Sequence, residues 1–443
     1  IQVVASKDPV QREAGARVAA LFKSGFKDRE IGELRGLMNH PDRRVRQAAQ
    51  FALVDRGEVG LSVLKEIAST RGSLFPRLHA IWGLGQAGRR EIAVTDTLLS
   101  LLEDSDPEVR ANAVRVLGDL RDPKAKEALL ARIERDDSLR VRSLAAISLG
   151  RIAEPGEAAV TEALFTSARR NGEGTPDIVL RHALRSGLIP LATVESAAKR
   201  AGSGSREERL LAVLVLREKE SPELAKFLDD KDPLIVREVI RAIYDTKALD
   251  SEAGDRIAAL GARAAALPET IQRRIVAAGY RRGTPQHAAA MLQLAADKTL
   301  SISVRRAALI GLKQWEKATE TDPVLGHYRP QVVTEGRTFS ALGDAIGDPL
   351  RKFLTEPHES GLITLAMELA TAANIKLDVV TLLSKVKNTA LSPTLRVAVL
   401  ESLSETKPAE LHTVVTELLG DKEPLLRAAA MKEAFVQRLD GIA

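Results

Sequence analysis

The chain has 443 residues, of which 44% are hydrophobic, 3% aromatic and 28% charged, a balance that excludes wholesale disorder. Its length exceeds the roughly 250–300 residues at which a single core stops growing, so we expect several domains or a repeat array. The absence of cysteine excludes disulfides and covalent haem attachment within these residues, and a net charge of +5 is weak for this length.

An arginine followed seven residues later by a leucine recurs along the chain. The first four copies are spaced by 31, 33 and 32 residues, and the third residue after the arginine is alanine in six of the eight copies. A period this regular is the signature of stacked supersecondary units. The eight copies are Arg46–Leu53, Arg77–Leu84, Arg110–Leu117, Arg142–Leu149, Arg181–Leu188, Arg209–Leu216, Arg305–Leu312 and Arg396–Leu403.

The clearest unit resolves into two predicted helices. The first covers Thr97–Glu103, and the second begins after Asp106 and Pro107. Aspartate is a favoured N-cap, and proline in the first helical turn costs no hydrogen bond. Equivalent helix starts are predicted at Asp232-Pro233 and Glu423-Pro424, ahead of Arg237 and Arg427.

These patterns predict an all-α fold, a right-handed α-solenoid (α-α superhelix). Two tryptophans and three tyrosines are too few for tetratricopeptide units. The phrase Asp-Pro-x-Val-Arg-x-x-Ala-x-x-x-Leu-Gly at 106–118 resembles bacterial HEAT repeats. We therefore expect HEAT-like repeats with short first helices.

The repeated arginines follow closely behind an acidic or hydroxyl residue, as Arg110 follows Asp106. We interpret them as a structural ladder that ties one inter-helix turn to the next. The alternative is a stripe of arginines offered to an anionic ligand. The predicted ladder consists of Arg46, Arg77, Arg110, Arg142, Arg181, Arg209, Arg237, Arg305, Arg396 and Arg427.

The repeat pattern weakens at a long polar stretch that contains Pro323 and Pro330. Loops of this length are uncommon in compact arrays and are usually functional or linking. We therefore divide the chain into a HEAT-like array at 1–318, a long loop or linker at 319–346 and C-terminal HEAT-like repeats at 347–443.

Two features suggest contact with a partner. The two tryptophans, Trp82 and Trp315, lie in predicted second helices, and Trp315 stands just before the long loop. The loop itself gathers His327, Tyr328 and Arg329, and such groups are enriched at protein interfaces. The alternative is a loop that folds back over exposed core.

The sequence contains no recognisable catalytic or metal-binding motif. The sequence has no phosphate-binding loop, no dinucleotide fingerprint, no His-Glu-x-x-His and no Gly-x-Ser-x-Gly. Paired carboxylates such as Asp136 and Asp137 lie at predicted turns, where helix capping explains them. We therefore predict no enzymatic activity, no cofactor and no catalytic, cofactor-binding or metal-binding residue.

Several phrases resemble the helical middle region of large bacterial haem-binding proteins of the membrane-bound-dehydrogenase type, found in planctomycetes and verrucomicrobia. The resemblance runs from about residue 8 to 330. The matching phrases are Arg77-Leu-His-Ala-Ile-Trp-Gly-Leu84, the segment 106–119, Leu180-Arg-His-Ala-Leu184, the segment 232–243, Val304-Arg-Arg-Ala-Ala-Leu-Ile-Gly-Leu-Lys-Gln-Trp315 and Arg329-Pro330.

In that family a dehydrogenase-like β-propeller precedes the helical region and a cytochrome c domain follows it. The resemblance implies an extracytoplasmic (periplasmic) spacer that contacts a protein partner or flanking domains of the same polypeptide. It transfers no haem-ligating residue. We therefore expect a non-catalytic scaffold or interaction module without a membrane span. The alternative is a HEAT-type nucleic-acid-binding protein similar to DNA glycosylases, against which the dispersed charge and the few aromatic residues argue.

Overall fold

The computed structural model describes residues 8–330 and 335–438. Within these residues the regular secondary structure is helical, and extended pairing is confined to one isolated bridge between Thr321 and Tyr328. The all-α prediction is confirmed. The chain divides into two compact units, unit 1 up to Lys219 and unit 2 from Glu220.

Unit 1 is a stack of helix pairs. The second helices α3, α5, α7, α9, α11 and α13 each pack against the helix before them in the chain, and the first five of them also pack against the next second helix. This stacking confirms the predicted HEAT-like solenoid for unit 1. The helices are α1 (Pro9–Ser24), α2 (Ile31–Leu37), α3 (Arg43–Asp55), α4 (Glu58–Ser69), α5 (Leu74–Gly88), α6 (Thr95–Ser100), α7 (Pro107–Leu120), α8 (Lys126–Arg135), α9 (Leu139–Ile152), α10 (Ala158–Asn171), α11 (Ile178–Leu191), α12 (Val194–Ser203) and α13 (Arg206–Glu218).

Small residues allow successive second helices to approach closely. The repeated alanine, as at Ala113 and Ala145, is fully buried. A close contact between backbones involves glycine further along each helix: a Cβ atom placed on Gly150 of α9 would lie 2.7 Å from the Cα atom of Gly187 in α11. Two helices pack at the short end of the usual 8–10 Å range only where such residues meet.

All three predicted helices begin at the predicted proline, and the predicted side-chain cap forms in two of the three. The Asp106 carboxylate accepts a hydrogen bond from the Glu108 amide at 2.8 Å, and Asp232 caps α14 in the same way. The prediction is wrong at Glu423, which occupies the N-cap position of α24 without a capping hydrogen bond from its side chain. Glutamate is one methylene longer than the favoured N-cap residues.

Unit 2 repeats the stacking with less regular connections. The second helices α14, α16, α18 and α20 follow one another, and α22 packs against α24. Short 3-10 helices occupy Pro222–Phe227 and Ala259–Ala266. The helices are α14 (Pro233–Asp245), α15 (Lys247–Ala258), α16 (Glu269–Arg282), α17 (Pro285–Ala296), α18 (Ile302–Lys313), α19 (Phe339–Thr355), α20 (Ser360–Ala372), α21 (Val379–Val386), α22 (Pro393–Thr406), α23 (Leu411–Leu419) and α24 (Pro424–Gln437).

The division into units differs from the one predicted at 319–346. Helix α19 begins at Phe339, inside that segment, and packs against α17, while α20 packs against α18. The stack of unit 2 therefore continues past the long loop, and the division falls between Lys219 and Glu220. The lost periodicity marks a long insertion between two stacked helices and not the end of a stack.

The close approach of α9 and α11 predicts opposite effects for two glycine substitutions. Gly150→Ala places a methyl group against backbone, and we expect a loss of about 1–3 kcal/mol in the free energy of unfolding. Gly36→Ala in α2 meets nothing within 4 Å and should stabilise the chain by about 0.5–1 kcal/mol. Urea unfolding followed by circular dichroism measures both. Equal effects of the two substitutions would contradict the close approach.

Candidate functional site

Five of the ten predicted ladder arginines bind an acidic residue of the next repeat. Arg110 makes a bidentate contact with Asp136, with both N–O distances at 2.9 Å, and Arg181 does the same with Glu207 at 2.8 Å. Each of these pairs joins one second helix to the turn or helix start of its successor. The remaining pairs are Arg77–Asp104, Arg305–Glu359 and Arg396–Asp421.

The same guanidinium groups also bind backbone carbonyls at the ends of first helices. Nε of Arg77 donates to the Ala68 carbonyl at 3.0 Å, and Nε of Arg396 donates to Val386 at 2.8 Å. Helix ends leave their last carbonyls without partners inside the helix. The arginines therefore satisfy these carbonyls and are buried in doing so. Arg305 binds the Ala295 carbonyl near the end of α17 in the same way, whereas Arg46, Arg110 and Arg427 bind carbonyls of the turn that precedes their own helix.

Within the described residues, four other ladder arginines show no ion pair to the next repeat: Arg46, Arg142, Arg237 and Arg427. Arg237 pairs at 3.0 Å with its neighbour Glu238 on α14. Arg142 is half-buried, and its Nε atom has no hydrogen-bond partner. The ladder residue Arg209, on α13, is half-buried. Asp137, which precedes Arg142 in the sequence, binds Arg110 instead, at 2.6 Å.

The acidic partners were missed because they lie in the following repeat. The sequence has an acidic or hydroxyl residue a few positions before the arginine, as Asp106 precedes Arg110. Asp106, however, caps its own helix and does not bind Arg110. In four of the five pairs the acidic residue follows the arginine by 25 to 27 positions, and this spacing is the signal that could have found the partners.

These pairs hold carboxylates in their charged form. Burial would raise the pKa of Asp104, but hydrogen bonds from the Arg77 guanidinium and the Asp106 amide outweigh it and lower the pKa below its ordinary value. Asp136 shows the same balance, with Arg110 as the cation. The arginines are thus neutralised within the protein, which disfavours their use as an open anion site.

A groove crosses α3, α5 and α7 of unit 1. It consists of three adjoining depressions, the first of about 350 Å³ beside Trp82. The first and second share Gln86 and Arg89 as lining residues, and the second and third share Phe51 and Asp55. Phe51 is 42% exposed and Trp82 is 37% exposed. We call this surface the second-helix groove. Its lining residues include Phe51, Asp55, Trp82, Gln86, Arg89, Arg90, Arg115 and Asp119.

Buried polar groups hold Trp82 in place. The indole Nε1 donates to Oδ1 of Asn112 at 2.9 Å, and the His79 ring meets the indole edge-on at 4.9 Å. Nδ1 of His79 lies 2.8 Å from Oε1 of Gln50, whose amide nitrogen donates to Gln86. Burial lowers the pKa of His79 to about 4, so the ring is neutral at pH 7 and donates through Nδ1.

Trp315 and Arg329, both predicted as partner-binding residues, are buried in unit 2. Trp315 is 2% exposed, and the Arg337 guanidinium lies 4.2 Å from its ring. Arg329 is 5% exposed and forms ion pairs at 3.3 Å with Asp250 and Asp322. Neither side chain is available to a partner, because the loop folds back and uses both as anchors.

His327 and Tyr328 remain exposed at the tip of the same loop, and Tyr328 is 70% exposed. The Asp322 carboxylate fixes the turn, since it accepts hydrogen bonds from two loop amides and from the Tyr244 hydroxyl at 2.7 Å. Burial, together with Asp322, raises the pKa of Tyr244. The anchoring residues Tyr244, Asp322 and Arg337 carry no sequence signal of their own, because they meet only after the loop has folded back.

Residues 76–150, which run from α5 into α9, match the family model described as HEAT repeats. These residues are HEAT repeats, and they lie within the helical stack of unit 1. Similar structures are an engineered protein (17% identity, TM-score 0.30, covering 91% of this chain and 98% of that one), a homology model of the full-length AP-3 complex in an intermediate open conformation (12%, 0.38, 96% and 95%) and Kap121p (14%, 0.44, 92% and 45%). No curated protein matches the chain.

Neither a metal-binding cluster nor a membrane-spanning helix occurs in the described part of the chain. Between residues 8 and 330 and between 335 and 438, no three histidine or acidic side chains are placed to hold a metal ion. None of the helices in these ranges is both long and apolar enough to cross a bilayer. The paired carboxylates Asp136 and Asp137 both bind Arg110.

Removal of one ladder arginine should destabilise the protein strongly. Arg110→Ala leaves the Asp136 carboxylate, whose side chain is 1% exposed, without its bidentate partner. We expect a loss of about 3 kcal/mol in the free energy of unfolding. Arg90→Ala is the control, because the Arg90–Asp55 pair is exposed on both sides and its loss should stay below about 1 kcal/mol. Equal losses would contradict the ladder.

The buried His79 should make stability fall in acid. Because its pKa is lowered to about 4 from an ordinary value of 6.5, the unfolded chain binds the proton first as the pH falls. This contribution is complete above about pH 6.5 and is lost towards pH 4, up to about 3 kcal/mol. His79→Asn keeps the Nδ1-like donor and should flatten the pH dependence of urea unfolding. An unchanged pH dependence would contradict the assignment.

Proposed function

We propose that the chain is a non-catalytic HEAT-repeat scaffold that binds a protein partner through the second-helix groove of unit 1. The carrying observation is the exposure of Phe51 and Trp82 beside Arg89 and Arg115. Aromatic residues and arginine dominate the energetic hot spots of protein interfaces, and an apolar centre within a charged rim is their usual arrangement.

The fixed position of Trp82 supports this use. Its hydrogen bond to Asn112 and its edge contact with His79 restrict the indole before any partner arrives. A side chain that is already ordered loses little conformational entropy on binding. Trp82 therefore suits the role of an anchor residue.

The charges of the groove favour a protein over a nucleic acid. Arg90 pairs with Asp55, and Arg151 pairs with Asp119, so carboxylates stand beside the cations. Nucleic-acid binding requires a contiguous basic surface whose cations are free to contact phosphates. We therefore do not adopt the glycosylase-like alternative.

The partner that we propose is a flanking domain of the same polypeptide, with the chain as a spacer between a dehydrogenase-like propeller and a cytochrome c domain. The sequence phrases in the first 330 residues that resemble the bacterial haem-binding family, and the order in which they occur, support this proposal. The exposed side chains of His327 and Tyr328 also support it, because they offer a second contact surface in unit 2. The spacer would lie outside the cytoplasm.

Two experiments test the proposal together. The first is sequencing of the reading frame on both sides of the segment that encodes this chain, and the second is a titration of the chain with each flanking domain. We expect each flanking domain encoded there, produced separately, to bind the chain in isothermal titration. Phe51→Ser with Arg89→Glu should weaken binding at least about tenfold, which is 1.4 kcal/mol. The control is Val59→Ser, at an apolar position on α4 that is more exposed than Phe51.

A reading frame without flanking domains would contradict the spacer. Binding that the groove variant leaves unchanged would contradict the groove as the binding surface.

A further inference from the structure

In the inner repeats of unit 1 one face of each second helix receives the next repeat. On α7 this face contains Ala111, Val114 and Gly118, which lie one, four and eight residues after Arg110, and Ala111 and Val114 are fully buried. Ser148 of α9 donates to the Val114 carbonyl at 3.1 Å, and a Cβ atom on Gly118 would collide with Ser148.

The equivalent face of α24 is apolar and exposed. Counting from Arg427, the same positions hold Ala428, Met431 and Phe435; Met431 is 63% exposed and Phe435 is 86% exposed. With Leu425 they form one helical stripe with spacings of three, three and four residues. An apolar stripe of this kind at the surface marks a contact site.

The residue types of the stripe argue against a neighbour packed as α9 packs on α7. The residue eight positions after the ladder arginine is glycine in α5, α7 and α9, where the next second helix comes close. It is Val54 in α3 and Ser404 in α22, and the much larger Phe435 in α24. A phenylalanine there needs a partner with a matching depression. Ala428 supplies such a depression on α24 itself, about two turns before Phe435.

We propose that α24 pairs with α24 of a second copy of this chain, antiparallel about a two-fold axis near Met431. Phe435 of each copy then lies over Ala428 and Leu425 of the other. Antiparallel helix dipoles attract, and the exposed Glu423 at one end comes near the exposed Arg438 of the other copy. Lys432 is already paired with Glu401 at 3.7 Å.

Two-fold pairs are the commonest homo-oligomers, and their surfaces are self-complementary, as this stripe is. One helix face is smaller than the roughly 800 Å² per partner of a standard interface. We therefore expect a reversible dimer that forms in the micromolar range.

Sedimentation velocity of the whole chain over a range of concentrations tests the proposal. The expected result is a concentration-dependent rise from monomer to twice the monomer mass. Phe435→Glu or Met431→Glu, at positions exposed enough to accept a charge, should keep the chain monomeric at all concentrations tested. Val380→Glu, at an equally exposed valine on α21, should leave the dimer intact.

The absence of cysteine allows the orientation to be tested separately. Met431→Cys should give a covalent dimer with a short bismaleimide linker, because the two copies of this residue meet at the axis. Val380→Cys should give none. A chain that stays monomeric, a dimer that survives Phe435→Glu, or assemblies larger than a dimer would overturn the proposal.

Discussion

Each unit depends on the contact between one second helix and the next. The interior is built largely from alanine, leucine, valine and isoleucine, and small residues such as Gly150 and Gly187 let neighbouring helices approach until their backbones touch. Dispersion and hydrophobic burial favour such contacts only where no void remains. Since each repeat contacts mainly its neighbours, stability should be close to a sum of local terms.

The ladder arginines add ion pairs and hydrogen bonds to this contact between adjacent repeats. A guanidinium such as that of Arg110 binds carbonyls of its own turn and the Asp136 carboxylate of the next repeat. The same burial that makes these pairs structural removes them from any ligand. Recognition is left to side chains on the exposed surface, such as Phe51 and Trp82 in unit 1 and Tyr328 in unit 2.

Helix starts and the stacking period could be predicted from the sequence, because Asp106, Pro107 and the buried alanines act within one helix or between adjacent helices. The acidic partners of the arginines could not, because they depend on how two repeats stack. Trp315 and Arg329 are buried because the long loop folds back, and this loop has no sequence periodicity. Their contacts with Arg337 and Asp250 therefore could not be predicted from a repeat pattern.

A double-mutant cycle on Arg181 and Glu207 tests most directly whether adjacent repeats are tied together by these pairs. The two side chains belong to α11 and α13, and the Glu207 side chain is 3% exposed. If the ladder links the repeats, the double variant Arg181→Ala with Glu207→Ala loses less stability than the sum of the single variants, by about 1–3 kcal/mol. Strictly additive losses would contradict the account.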